Sequence, residues 1–179
     1  MTSVLLIPLD GRPCNHVFPR ELAALAGFSL SCPQKELLGD AQKPARRDRI
    51  GAWLKHQLTQ AETLLVSLDT WIYGNLVASR KSTESLASLG ARLEQLSDIK
   101  KIHPKLKIQA FATLLRISNS NDATEERQYW AEYGQRIYRF SWLEHYLQTH
   151  VNDQKCQAEF EYLKTTLPDK ILSDYRALR

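Results

Sequence analysis

LLIPLDGRPCN, Leu5–Asn15, decides the fold. Its first half is a short apolar run, continuous with Val4, of the kind that forms a strand covered on both faces. Its second half is polar and stiff. Pro8 and Pro13 restrict the backbone on either side, Gly11 allows a tight turn, and Asp10, Arg12 and Asn15 follow the strand directly. A strand that ends on charged groups rather than on a plain turn is the local signature of an α/β sheet with a site at its carboxyl edge.

The same pattern recurs twice. TLLVSLD, 63–69, is a second strong strand that runs into Asp69, and KIQAFATLLR, 107–116, is a third that runs into Arg116. A shorter strand is expected over 28–32. Helical spacing separates them: a short helix over 21–27, another over 46–60, and a third with an apolar stripe at Leu86, Leu89, Leu93 and Leu96 that Ser82 or Thr83 would cap. After the third strand, Asp122 and Glu125 suggest a capping box for an aromatic-rich helix from Ala123 to about His150. Further helices are expected over 153–166 and from Pro168 onward. Strands alternating with helices imply an α/β fold with a mainly parallel sheet of about four strands and a helical C-terminal portion, doubly wound or barrel-like. The expected organisation is a single α/β domain over 1–179.

Bulk properties narrow the function classes. With 43% hydrophobic content, 179 residues can bury one core. No run approaches the roughly 20 apolar residues of a membrane span, and the opening run ends in Asp10 and Arg12 rather than at a small-residue cleavage site, so no membrane association is expected. Three scattered cysteines, Cys14, Cys32 and Cys156, fit neither a disulfide framework nor a zinc site, and a cytoplasmic location is expected. The net charge of +4 is mild. Two basic clusters, one at Lys43, Arg46, Arg47 and Arg49 and one at Lys100, Lys101, Lys105 and Lys107, read as solvated helix faces and helix ends. Without aromatic interleaving they give no reason to expect nucleic acid.

The three strand ends together point to a polar pocket for a small-molecule ligand. Asp10 and Asp69 form a candidate carboxylate pair, suited to acid–base work or to holding a cation. Arg12, Asn15, Tyr73, Ser79, Arg80 and Arg116 are candidate substrate-binding residues, the arginines suiting a carboxylate, a phosphate or sugar hydroxyls. His16 is near enough in sequence to join them. A structural reading stands beside the functional one: Asp10 and Arg12 would pair to satisfy loop backbone, and Asp69 would cap a turn. No phosphate loop, GxGxxG, GxSxG or HExxH is present, and the five histidines lack ligand spacing, so the residues name neither a cofactor nor a metal site.

LLIPLDGRPCN, KELLG, LLVSLDTWIYGNLVASR, YWAEYGQRIYRFSWL and ILSDYRALR, in that order from Val4 to Arg179, resemble a bacterial family known as domain of unknown function 4127. The segment Asp69–Arg80 is the most specific part of the likeness. Three features depart from the family pattern: Gly11 stands where an acidic residue is usual, Asn75 where a second glycine is usual, and LLRISNSND, 114–122, differs from the usual polar pattern after the third strand. The resemblance implies a longer α/β protein of which this chain is the N-terminal portion. The apolar spacing at Ile171, Leu172, Tyr175 and Leu178, running to the last residues, agrees with that expectation. A partial sheet would expose an edge and apolar surface, and self-association would follow. The functional expectation is a hydrolase-like metabolic enzyme acting on a polar small molecule, such as a sugar derivative. The alternatives are a non-catalytic module for an anionic ligand and an inactive remnant.

Overall fold

Four strands pair in parallel in the computed structural model, which describes residues 2–178. They are β1 (Ser3–Ile7), β2 (Ser29–Ser31), β3 (Thr63–Ser67) and β4 (Lys107–Phe111), in the spatial order β2-β1-β3-β4. Val4 lies opposite Thr63 and Ile7 opposite Val66, while Thr63 pairs in turn with Lys107. A closed barrel would keep chain neighbours adjacent throughout. Here the order reverses between β1 and β3, which is doubly wound topology.

The chain divides into two units, Met1–Leu114 and Leu115–Arg179. The first holds the sheet. Helix α1 (Pro13–Leu25) connects β1 to β2, and α2 (Arg47–Gln57) connects β2 back across to β3. The short α3 (Leu76–Lys81) and the long α4 (Leu86–Ile102) connect β3 to β4. Right-handed crossovers in opposite directions put α1 on one face and α2 and α4 on the other. Packing agrees with this. Leu5 and Ile7 of β1 and Leu64 and Val66 of β3 alternate onto one face. There they meet Ile50, Leu54 and Leu58 from the second connection and Leu96 of α4. Each such side chain contributes about 1.5–3 kcal/mol when fully buried. The opposite layer is thin. In α1 and just after it, Phe18, Leu22, Leu25 and Phe28 are exposed, Leu25 by 86%.

The second unit is helical: α5 (Trp130–Tyr146), α6 (Gln154–Thr166) and α7 (Asp169–Leu178). Its own core contains Trp130, Ile137, Phe140, Leu143, Leu163 and Leu172, with Phe140 stacked on Phe160 at 4.9 Å between ring centres. Arg139 grips Glu159 through two hydrogen bonds, 2.8 and 2.7 Å, joining α5 to α6.

Three local expectations are corrected. α1 starts at Pro13, not Glu21, because proline in the first turn is preorganised for a helix and gives up only an amide that has no partner there. α4 is capped by Ser85, whose hydroxyl accepts from the Ser88 amide at 3.2 Å, not by Ser82 or Thr83. Asp122 begins no helix. Its carboxylate is spent on the amide and hydroxyl of Thr124 in a local turn, and α5 starts only at Trp130.

Candidate functional site

The first unit brings Asp10 and Asp69 to adjacent strand ends. Ile7 and Val66 are partners in the ladder, and each aspartate comes three residues later on its own strand. Both are buried. They flank the place where the strand order reverses, the crevice in which doubly wound sheets bind ligands.

The two carboxylates are held differently. One oxygen of Asp10 accepts from the Arg12 amide at 3.0 Å and from Asn15 Nδ2 at 2.9 Å. The other accepts from Arg12 Nε at 2.9 Å and Nη2 at 2.8 Å. Burial pushes this carboxyl up, but the hydrogen bonds from Arg12 and Asn15 outweigh it and hold it below the ordinary carboxylate value. Asp10 is thus a fixed anion that orients Arg12 and Asn15 over the start of α1. The Arg12 side chain is 59% exposed. Asp69 opens a π-helical turn, Asp69–Tyr73, and its Oδ2 accepts from the Thr113 amide at 3.0 Å, linking the ends of β3 and β4. Such wide turns are uncommon and concentrate at functional sites.

Thr70, which sequence reasoning missed, joins the two strand ends. Its hydroxyl oxygen lies 2.7 Å from the carbonyl oxygens of both Pro8 and Leu9. Only the tertiary pairing of β1 with β3 reveals it. Gly74 ends the π turn at φ 111°, where a Cβ would come within 2.9 Å of Pro44 Cβ. Gly11, by contrast, is not left-handed: a side chain there would meet Lys35 Cγ at 3.2 Å, so it leaves room rather than conformational freedom.

The other candidates disperse. Asn15 joins Asp10 as described. His16 is buried with Nε2 3.0 Å from the Pro33 carbonyl oxygen, a structural contact. Ser79 turns its hydroxyl back to the Leu76 carbonyl at 2.7 Å, and Arg80 is half-buried beside it on α3. Arg116 is exposed and belongs to the second unit. Tyr73 lines a separate cleft of about 760 Å³.

That cleft is walled by loop 40–46, the first turn of α2, and α3 with the residues after it. Asn75, fully extended at φ 177°, fastens the loop. Its Nδ2 donates to the Asp40 and Lys43 carbonyls at 2.9 and 3.1 Å while its Oδ1 caps α3 through the Ala78 amide at 2.8 Å. Arg47 donates to the Ile72 carbonyl and pairs with Glu84. The basic cluster read as solvated helix surface therefore lines a concavity: Lys43, Arg46, Arg47 and Arg49 all border it. Its charge run was visible in the sequence, but the facing wall was not. Among the described residues, no three of His, Cys, Asp and Glu are placed to share a metal ion, and no helix is long and apolar enough to cross a membrane.

The model of a family described as "Protein of unknown function (DUF4127)" matches residues 4–179. No curated protein matches the chain. Among solved structures, the TIR domains in "Structure of the activated Roq1 resistosome directly recognizing the pathogen effector XopQ" are similar over 92% of this chain and 82% of theirs, at 13% identity and a TM-score of 0.32. A likeness at that level carries no argument.

Proposed function

The chain belongs to the DUF4127 family, and on that premise we propose that its first unit acts on a polar small molecule at the carboxyl edge of the sheet, as a hydrolase-like metabolic enzyme. The observation that supports this is the reversal of strand order between β1 and β3, with a buried aspartate after each. Asp69 is the better candidate for proton transfer, because Asp10 already accepts hydrogen bonds on both oxygens. In this reading Asp69 takes a proton from the attacking water or hydroxyl group. Asp10 stays ionised and holds Arg12 and Asn15 as substrate-binding groups, which suit the hydroxyls or acidic substituents of a sugar derivative. The assignment uses no residue of the second unit.

The saturation of Asp10 also favours a second reading, a binding module without turnover. One experiment separates the two. The chain is screened by thermal shift against sugars, sugar phosphates, small carboxylic acids and divalent metals, and every stabilising class is then followed for chemical conversion. A ligand at 100 times its dissociation constant adds about 2.7 kcal/mol. The enzyme reading expects conversion that Asp69→Asn abolishes while binding persists. Binding without conversion overturns it in favour of the module, and stabilisation by no class overturns both.

A further inference from the structure

We propose that the cleft between loop 40–46, the first turn of α2, and α3 with the residues after it is a binding site for a phosphorylated small molecule, distinct from the strand-end aspartates. Its volume of about 760 Å³ falls within the roughly 300–1,000 Å³ of small-molecule sites. Charge decides the class of ligand. Three carboxylates line the cleft and all are engaged. Asp40 accepts from the Gln42 and Lys43 amides at 2.8 and 2.9 Å, Asp48 pairs with Arg92 at 2.8 Å, and Glu84 pairs with Arg47 at 2.7 Å. Arg46 and Arg49 line the same cleft and make no ion pair among the described residues, and Lys43 lines it as well, its charge helping to hold the Asp40 carboxyl low. Two cations without an ion-pair partner in one concavity, Arg46 and Arg49, match the charge of close to −2 on a phosphate monoester better than the single charge of a carboxylate. Tyr73 and Thr83 also border the cleft, and a hydroxyl is a group that suits phosphate oxygens or an attached sugar.

The cleft is also preorganised. Asn75 pins the loop at two carbonyls, and the Ala45 amide donates to the Gly74 carbonyl at 2.9 Å. The cations are thus presented on a fixed backbone, which limits the ordering cost of binding.

The test is calorimetric titration of the purified chain with inorganic phosphate and pyrophosphate, using glucose as the uncharged control. Pyrophosphate is expected to bind more tightly than phosphate, and glucose not at all. Affinity should weaken with added salt, as exposed charges are screened. The double substitution Arg46→Gln with Arg49→Gln should cost about tenfold or more in pyrophosphate affinity, a lost pair of charge-assisted contacts. Lys43→Gln, an independent change at an exposed side chain, should also weaken binding. No binding of pyrophosphate overturns the proposal, and so does binding that survives all three substitutions. Loss of binding in Arg12→Gln with the cleft variants unaffected would move the anion to the strand ends and overturn it too. Failure of the enzyme reading leaves this result untouched, because no strand-end aspartate takes part.

Discussion

Thr70 hangs from the end of β1: its hydroxyl oxygen lies 2.7 Å from the carbonyl oxygen of Pro8, 62 positions earlier in the chain. The same oxygen is equally close to the Leu9 carbonyl, and Thr70 is fully buried. Thr70→Val keeps the shape and removes the donor. Leaving buried carbonyls without a partner costs about 1–3 kcal/mol. Urea unfolding should show a loss of that size, with Thr70→Ser recovering most of it. An unchanged midpoint in the valine variant would show that the strand ends hold without this bond.

Asp10 makes stability depend on acid in a stated direction. Its carboxyl is held below the ordinary value by hydrogen bonds from Arg12 and Asn15, against the opposing effect of burial. A group depressed in the folded state adds stability above its unfolded pKa and loses it as pH falls through the folded one. Asp10→Asn should cost about 1 kcal/mol at pH 7, a modest figure because the Arg12 partner is largely exposed and screened. The difference between wild type and variant should shrink below about pH 4, where the unfolded aspartate begins to protonate. A gap that stays constant down to pH 3 would refute the assignment.

Asn75 couples the loop to the helix. Removing its side chain deletes two bonds to loop carbonyls and the cap of α3. Asn75→Ala should destabilise the first unit by about 2–3 kcal/mol. If the phosphate site is as inferred, it should also weaken pyrophosphate binding beyond any change in folding at the assay temperature. Full affinity in a folded Asn75→Ala chain would mean that the loop does not need its clamp.

Parallel β strands were legible because burial on both faces demands near-continuous apolar runs, and Val4–Leu9 and Thr63–Leu68 have no other plausible use. The edge strand β2, three residues long, was still visible because Gly27 punctuates the chain before it. Helix starts were less legible. Pro13 concealed the start of α1 because it reads as a residue that stiffens the loop after β1, and Asp122 offered a capping signal that its own side chain spent on Thr124. A cap depends on which amide lies within reach, and that is a property of the folded backbone.

By itself the sequence determined the class of fold and the two aspartates at its strand ends. Those follow from local composition, since hydrophobic runs choose strands and a charged residue after a strand sits at the sheet edge whatever the topology. Only the tertiary structure decided that β1 lies between β2 and β3, which places Asp10 and Asp69 beside the reversal of strand order. It also turned the basic residues 43–49 from a solvated surface into the wall of a cleft. The physical reason is the same in both cases. Strand order and facing walls are fixed by contacts between segments far apart in the chain, such as Asn75 with Lys43 and Thr70 with Pro8, and local periodicity carries no record of such partners.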